Sequence, residues 1–314
     1  MLMLSILCVG SINLDILYYT QKIPRDGENL LGREYLFLPG GKGANQAVAV
    51  KRCGSDAVFC GKVGEDDFGR KLEKHLKEEK IDSSFLFHDR EEKTGVAGII
   101  VDGRGENRII MFPGANLAFT VDDVSKAFSR SYDGVITNLE IPMDTVLQTA
   151  ETAYRMGIPF FLDAGPALSF DFSQLSPIEI FSPNQTEAET FTGIPCGDVP
   201  GTVKAAEKLY SMTRTKYVVI KMGALGALIY DGKKSVHVPA FPIQAVDPTA
   251  AGDAFTAALT VKYLQIRDIE KSVLFGNGAG ALAAQKKGAQ TSLPFYNDII
   301  AFITGRKESY RIVK

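Results

Sequence analysis

The chain has 314 residues, of which 45% are hydrophobic and 23% charged, a size and composition that suit one large α/β domain with an elaboration, or two domains. Its formal net charge is only −2, so it lacks the basic footprint of nucleic-acid binders, and no DNA or RNA partner is expected. The four cysteines include no Cys-x-x-Cys pair and the three histidines lie far apart, so neither a disulfide framework nor a zinc site is expected, and a reducing cytoplasm is the predicted compartment.

The amino-terminal stretch predicts a buried strand rather than a signal peptide. No basic residue precedes its apolar run, and the polar Asn13 and Asp15 follow within a few positions. No run is long enough to span a bilayer, so no membrane partner is expected. Further continuous apolar runs, rich in Val, Ile and Phe, predict strands covered on both faces. The predicted strands cover residues 4–9, 57–63, 134–139, 159–162, 178–181 and 217–222.

Helical patterns alternate with these strands. The predicted helices cover residues 43–52, 66–79, 121–130, 145–156, 203–212, 250–264 and 269–286. Strand–helix alternation of this kind predicts a mostly parallel central sheet with helices on both sides, an α/β fold of three layers.

Two segments, about 14–37 and 94–112, break the alternation. The pattern of each segment predicts two strands joined by a turn, Arg-Asp-Gly in the first and Asp-Gly-Arg-Gly in the second. We expect them to form a small antiparallel sheet that stands off the main domain and serves as a lid over a cleft or as a dimer surface. The alternative, a pair of hairpins that merely decorates the main sheet, is disfavoured because the segments carry apolar residues that need a cover. These residues are Tyr18, Tyr19, Tyr35 and Phe37.

The glycine-rich stretch LPGGKGANQAVAVKRCG, residues 38–54, superficially resembles a phosphate-binding loop. A P-loop has a glycine five positions before its Gly-Lys pair and a Ser or Thr after the lysine, because that hydroxyl holds magnesium. Leu36 and Gly43 occupy these two positions here. The stretch therefore does not meet the requirements of a P-loop.

A second stretch, AVDPTAAGDAFTAALTVKYL at 245–264, predicts an anion site at a helix start. The small residues Ala250, Ala251 and Gly252 let an anion approach the first free N–H groups of the helix, where the dipole also favours negative charge. Asp253 lies in the first turn, where a carboxylate would oppose simple phosphate binding. It suits a site in which Asp253 takes the proton from a hydroxyl that attacks the phosphate. On its own, stabilisation of the helix start would be the simpler explanation of this aspartate.

Three separated segments, taken together, identify a family. The segment DPTAAGDAF at 247–255 resembles the carboxy-terminal signature of the ribokinase-like carbohydrate kinases, the PfkB family, and GGKGANQA at 40–47 resembles their amino-terminal signature. Between them, SPNQTEAE at 182–189 is similar to the Asn-x-x-Glu segment of the family. The resemblance runs in order from residue 9 to residue 290. It implies that residues 1–314 form a single three-layer α/β/α ribokinase-like kinase domain, with segments 14–37 and 94–112 inserted as its lid.

The resemblance implies ATP-dependent phosphorylation of the primary hydroxyl of a pentose, with D-ribose to D-ribose 5-phosphate as the first candidate. Asp253 would be the general base, and the backbone of Ala250, Ala251 and Gly252 would form the anion hole. The glycine loop would then hold the sugar, whose hydroxyls need forked donors and acceptors and close backbone approach. The implied sugar-binding residues are Asn13, Asp15, Gly40, Gly41, Lys42, Asn45, Glu140 and Asp253.

The same resemblance implies a nucleotide site, Mg²⁺ and an activating K⁺. The implied nucleotide-binding residues are Asn184, Glu187, Lys221, Gly223, Gly226 and Asn277, with Glu187 holding Mg²⁺ through water. The implied K⁺ residues are Asp247, Thr249, Ala283, Lys286, Gly288 and Ser292. The stretch GNGAGA at 276–281 mimics part of a dinucleotide fingerprint, but it lies within a helical pattern and not after a strand, so no such site is expected.

Other acceptors stay open as alternatives: fructose, a nucleoside such as adenosine, or a keto-deoxy sugar acid. A sugar acid would need an extra cation near the sugar loop, where no additional Arg is evident, whereas the lid tyrosines offer an apolar floor for a nucleoside. A non-catalytic sugar-binding regulator is disfavoured because the predicted base and magnesium anchor are both present. The chain also departs from the family pattern at Pro248, Lys221, Asn277 and Asp163, where Thr, Thr, His and Asn are frequent. A homodimer formed through the lid is the implied assembly.

Overall fold

The computed structural model describes residues 3–168 and 170–306. Within these residues the strands are β1 Ser5–Val9, β2 Asn13–Tyr19, β3 Glu34–Gly40, β4 Asp56–Gly64, β5 Asp82–Asp89, β6 Gly95–Val101, β7 Asn107–Phe112, β8 Gly134–Asn138, β9 Phe160–Asp163, β10 Ile178–Ser182, β11 Thr215–Lys221, β12 Ala227–Tyr230 and β13 Ser235–Val238. The α-helices are α1 Lys42–Arg52, α2 Asp67–Glu78, α3 Val121–Ala127, α4 Met143–Arg155, α5 Gln185–Thr192, α6 Val199–Met212, α7 Ala251–Ile266, α8 Ile269–Ala284 and α9 Tyr296–Thr304.

The central sheet has nine strands in the order β13-β12-β11-β10-β9-β8-β1-β4-β5. The pairs from β5 to β11 are parallel, and β12 and β13 complete one edge in antiparallel fashion. All six predicted strands are present. The sequence did not predict β5, β12 and β13, because β5 is only partly buried and the other two have four residues each.

Helices cover both faces of this sheet, which confirms the predicted three-layer α/β/α fold. Alternate residues of β1 enter two separate cores: Ile6 and Cys8 pack with α1, α7 and α8, whereas Leu7 and Val9 pack with α3 to α6. Because both faces are buried, these strands appear in the sequence as unbroken apolar runs. All seven predicted helices are present with shifted ends, while α5 and α9 were not predicted. Among the described residues, no helix has the length and hydrophobicity needed to cross a bilayer.

The two segments predicted as a lid form a separate four-stranded sheet in the order β3-β2-β6-β7. Each segment is an antiparallel hairpin, as predicted, but β2 and β6 pair in parallel, so the sheet is mixed and not antiparallel. The parallel pair arises because the two hairpins join through their first strands, which run in the same direction from Asn13 and Gly95. Every residue of β7 is exposed, and so are Tyr18, Tyr35 and Phe37.

Candidate active site

The amino ends of α1 and α7 meet beside the carboxyl ends of strands β1, β8 and β9. The Nδ2 of Asn45 in α1 donates to Oδ2 of Asp253 in the first turn of α7 at 2.9 Å. Nζ of Lys42, the first residue of α1, lies 3.8 Å from the other carboxylate oxygen of Asp253. In open α/β folds, ligands bind at the carboxyl ends of the strands, and this junction lies there.

The glycines on either side of the start of α1, Gly41 just before the helix and Gly43 in its first turn, are required by packing. Gly41 has a φ of 88°, and a Cβ at this position would lie 2.7 Å from Cα of Ile12. A Cβ on Gly43 would lie 2.6 Å from the carbonyl carbon of Gly10. The loop therefore sits directly against the link between β1 and β2, which brings the start of α1 to the sugar-side residues predicted on β2.

Three predicted sugar-binding residues converge on this loop. Asn13 is buried, and its Oδ1 accepts from Nδ2 of Asn116 at 2.7 Å. Glu140 accepts from the backbone N–H of Lys42 at 3.3 Å and from the hydroxyl of Ser11. Burial and, secondarily, the charge of Glu140 raise the pKa of Asp15 to about 7. The structure thus brings together polar groups of the kind that bind a sugar's hydroxyls.

The predicted base Asp253 is almost fully buried, with 4% of its surface exposed. Its Oδ1 accepts a long hydrogen bond from Nε2 of Gln46 at 3.4 Å, in addition to the bond from Asn45. Burial raises the pKa of Asp253 to about 6, with the charge of Lys42 opposing that rise and the charge of Asp163 adding to it. A carboxylate with this pKa is a better proton acceptor than an exposed aspartate and is still mostly ionised at neutral pH.

Asp163 is a component of the site that the sequence motifs did not predict. It ends β9, is fully buried, and its Oδ1 lies 2.6 Å from Nζ of Lys221. Its other oxygen accepts from Gln46 at 2.8 Å and lies 3.5 Å from Nζ of Lys42. Burial opposes the ionisation of Asp163, but Lys221 and Lys42 outweigh it and hold its pKa below the usual range. The signal in the sequence was a charged residue at the carboxyl end of a buried parallel strand.

A cleft of about 350 Å³ opens on the other side of the start of α7. Its lining includes six residues predicted for the nucleotide or the anion hole, namely Lys221, Gly223, Gly226, Ala251, Gly252 and Asn277. One wall was not predicted: the apolar residues 240–243 and 245, whose segment has no regular secondary structure and therefore no periodic signal. A mostly apolar cleft with a few polar groups, next to a helix start, is suited to a nucleotide.

The start of α7 has an unusual backbone. Ala250 takes the left-handed conformation with a φ of 59°, which is costly for a residue with a Cβ and is often found at functional sites. The N–H of Ala251 donates to the carbonyl of Pro248 at 3.1 Å, so this member of the predicted anion hole already has a partner. Gly252 and Asp253 follow in the first turn, where N–H groups have no acceptor within the helix.

The remaining predicted nucleotide residues have structural partners. Asn184 caps α5 and forms two hydrogen bonds with Glu187. The backbone N–H of Glu187 donates to Oδ1 of Asn184 at 2.8 Å, and the backbone N–H of Asn184 donates to Oε2 of Glu187 at 2.7 Å. Nδ2 of Asn277 donates to the carbonyls of Val238 and Pro239, both at 3.0 Å. These contacts fix the three side chains.

The predicted K⁺ residues come from two segments that Asp247 connects. Oδ1 of Asp247 accepts from the N–H and the hydroxyl of Thr249, at 3.0 and 2.6 Å, and Oδ2 accepts from the N–H of Gly288 at 2.9 Å. The hydroxyl of Ser292 donates to the carbonyl of Ala289 at 2.7 Å. Among the described residues no group of three or more His, Cys, Asp and Glu side chains is placed to hold a metal. Asp247 is the one carboxylate of the predicted K⁺ set, so it supplies that set's hard oxygen donor.

Fold and site together define a phosphotransferase of the α/β class, with a polar acceptor site and a nucleotide-sized cleft on either side of one helix start. The chain belongs to the pfkB family of carbohydrate kinases, which it matches over residues 3–295. It is 35% identical over 297 residues to a ribokinase of Haemophilus influenzae, covering 94% of this chain and 97% of that protein. It is 33% identical over 298 residues to a deoxyribokinase of Salmonella typhi, covering 93% and 96%. The ribokinase of Arabidopsis thaliana complexed with ribose and ATP has a TM-score of 0.85 at 29% identity, covering 96% of this chain and 99% of that one.

Proposed function

We propose that this carbohydrate kinase transfers the terminal phosphoryl group of ATP to the primary hydroxyl of D-ribose, giving D-ribose 5-phosphate. The observation that carries the proposal is the position of Asp253. Its carboxylate accepts a hydrogen bond from Asn45 in the predicted sugar-binding segment, and it lies in the first turn of α7, which lines the cleft. Similarity to the Haemophilus influenzae ribokinase, and to a structure that holds both ribose and ATP, supports the choice of acceptor and donor.

In the proposed reaction Asp253 accepts the proton of the attacking hydroxyl while the N–H groups at the start of α7 stabilise charge on the transferred group. Lys42 and Asn45 hold the carboxylate in place. Alignment of two bound reactants can lower the activation barrier by about 7–11 kcal/mol. Closure of the lid would exclude water as a competing acceptor. Mg²⁺ neutralises charge on the phosphates when bound, and Glu187, whose carboxylate is fixed by Asn184, would hold it through water.

We also propose an activating K⁺ at Asp247, Thr249, Ala283, Lys286, Gly288 and Ser292. Support comes from the bonds of Asp247 to Thr249 and Gly288, which bring both halves of the predicted set together next to the anion hole. Turnover should fall when K⁺ is replaced by tetramethylammonium at equal ionic strength. Equal turnover in the two salts would contradict this assignment.

For the assembly, we propose that residues 1–314 act as one kinase unit that dimerises through the small sheet. The support is the exposed apolar edge strand β7, in which Ile109, Ile110, Met111 and Phe112 are each about half exposed. Such strands are normally covered. Sedimentation velocity of the full chain and of an Ile110→Lys variant tests this: the variant should be monomeric where the parent is dimeric.

Four free cysteines support the proposed cytoplasmic compartment.

The closest competing acceptor is 2-deoxyribose, because a deoxyribokinase is as similar to this chain as several ribokinases. The deciding experiment measures ADP release with ribose, 2-deoxyribose, fructose, adenosine and a keto-deoxy sugar acid, each with and without K⁺. Asp253→Asn protein, purified in parallel, serves as the control for contaminating kinases. Ribose should give the highest kcat/KM. A higher kcat/KM for another acceptor would overturn the choice of sugar, and ribose binding without turnover would favour a regulator.

A further inference from the structure

A row of four buried or partly buried charges runs between the two halves of the site, with alternating sign. Nζ of Lys221 lies 2.6 Å from Asp163, Asp163 lies 3.5 Å from Nζ of Lys42, and Nζ of Lys42 lies 3.8 Å from Asp253. Nε2 of Gln46 spans the two carboxylates, at 2.8 Å from Asp163 and 3.4 Å from Asp253. Two ammonium groups thus face two carboxylates, and the row is neutral as a whole.

The row connects elements that are distant in the chain. Lys221 ends β11 and lines the nucleotide cleft, Asp163 ends β9, and Lys42 and Asp253 begin α1 and α7. Asp163 has no exposed surface, and only 11% of the Lys221 side chain is exposed. A buried charge is destabilised when its partner is removed, so Lys221 depends on Asp163, whereas Asp163 also has Lys42 as a more distant cation.

We propose that Asp163 and Lys221 form a charge-compensated positioning pair that holds Lys42 and Gln46 in contact with the proposed base Asp253. The inference rests on the proposed role of Asp253. Lys221 neutralises one oxygen of Asp163, which leaves the second oxygen to share Lys42 with Asp253 instead of drawing it away. The pair acts through Lys42 and Gln46, and neither member transfers the proton.

The charges predict opposite effects of the two single substitutions. Asp163→Asn leaves two ammonium groups facing Asp253 alone, so Asp253 should ionise at lower pH and become a weaker base. Lys221→Met leaves Asp163 with Lys42 as its only cation, so Lys42 should move toward Asp163 and Asp253 should ionise at higher pH. The double variant is neutral again and should restore Asp253 toward its original titration. The other acids that act on this row, Glu140 and Glu187, are unchanged in every variant.

The test uses the full chain labelled with carbon-13 at the aspartate carboxyl groups and follows the titration of Asp253 by NMR without substrate. The signal is assigned by its loss in Asp253→Asn. Asp163→Asn should shift the midpoint down and Lys221→Met should shift it up, each by about one pH unit, and the double variant should shift it less than either. The acidic limb of kcat/KM for the sugar should move in the same directions.

The control is Lys216→Met. Lys216 belongs to the same strand as Lys221, pairs with Glu179 at 2.8 Å, and lies at the opposite end of β11, so its loss should leave Asp253 unchanged. In turnover, each single variant should lose about tenfold or more, and the double variant should lose less than the product of the two. If Asp163→Asn does not fold, the upward shift in Lys221→Met and its absence in Lys221→Arg still decide the question.

Two results would overturn the inference: an Asp253 midpoint that is the same in all variants, or losses of turnover that simply multiply in the double variant. Because the NMR titration needs no sugar, its outcome is separate from the choice of substrate. Shifted midpoints in a protein that does not phosphorylate ribose would refute only the proposed function. Unshifted midpoints in an active ribose kinase would refute only the pair.

Discussion

Asn45 donates from Nδ2 to Oδ2 of Asp253 at 2.9 Å across a separation of 208 residues. This bond joins the glycine loop near the amino terminus to the first turn of α7. One oxygen of the proposed base is therefore fixed by the element that carries the sugar-binding residues, and the other lies beside Lys42. The amide oxygen of Asn45 is buried and has no hydrogen-bond partner among the described residues, so it is available to a sugar hydroxyl.

Replacement of Asp253 by Asn should lower kcat by about 100- to 10,000-fold, because the amide keeps the size of the side chain but cannot accept the proton. Binding of a non-hydrolysable ATP analogue, measured by calorimetry, should change little, since the cleft lining is otherwise intact. Asp122→Asn is the matched control, because Asp122 is also in the first turn of a helix, α3, but is exposed. Near-normal turnover of Asp253→Asn would refute the assignment of the base.

Activity should depend on pH through Asp253. Because its pKa is raised to about 6, mainly by burial, kcat/KM should fall as the pH drops through about 6 and the base becomes protonated. The charge of Lys42 lowers this pKa, so Lys42→Met should move the acidic limb to higher pH. The measurement is kcat/KM between pH 5 and 8. Lys51→Met, in the same helix but paired with Asp56, should keep the parent profile.

Gly41→Ala should disrupt the sugar loop, whereas Gly105→Ala should not. Both glycines have positive φ, 88° and 83°, so each substitution carries the same backbone penalty of about 1–2 kcal/mol. Of the two, only the Cβ at Gly41 would also collide with backbone, 2.7 Å from Cα of Ile12. At Gly105 no atom of the residues that the structure describes lies within 4 Å. Urea denaturation should show a larger loss of stability for Gly41→Ala, together with a higher sugar KM. Equal effects of the two substitutions would contradict this packing.

Asp66 connects α2 to the start of β6 and should make stability depend on pH. Its carboxylate accepts from the N–H and hydroxyl of Thr94, at 2.9 and 2.6 Å, and from the N–H of Gly69 at 2.8 Å. Burial works against its charge, but these bonds hold the pKa of Asp66 below its usual range. The stabilisation is therefore present above the unfolded pKa of about 3.9 and is lost as the pH falls through the lower folded value.

Asp66→Ala should accordingly cost about 1–2 kcal/mol at neutral pH, and the difference from the parent should shrink in acid. Asp198→Ala is the comparison, because Asp198 caps α6 through Gly201 at 2.8 Å without binding a second segment, and it should cost less. Urea denaturation at pH 7 and pH 3.5 provides both measurements. A pH-independent difference for Asp66→Ala would show that its charge is not what stabilises the protein.

The sequence predicted the layers of the fold because burial on both faces makes central strands continuously apolar. It could not predict the edge. Strands β12 and β13 have four residues each, too few to show a period, and the parallel pairing of β2 with β6 depends on how two hairpins meet, not on their own residues.

Within the site, the sequence predicted the local motifs but not the contacts between them. Lys42 and Asp253 each stand in a short segment with its own signature. The ion pair of Asp163 with Lys221 depends on the strand order β9-β10-β11, which brings the ends of two strands close together. Periodicity in either strand gives no information on which strand lies beside it, so this pair became visible only in the folded structure.

Gly252→Ala should separate the nucleotide site from the stability of the fold. Among the described residues, no atom apart from its chain neighbours and the backbone of its own helix lies within 4 Å of a Cβ built at Gly252, and its φ is not positive, so the protein should keep its melting temperature. The added methyl group would nevertheless stand in the lining of the cleft, at the first turn of α7, where the terminal phosphate must approach the backbone. The KM for ATP should rise by about tenfold or more, with the sugar KM little changed. Gly197→Ala, equally unhindered but outside the cleft lining, should leave both constants unchanged. An ATP KM equal to that of the parent would mean that the phosphates do not bind at this helix start.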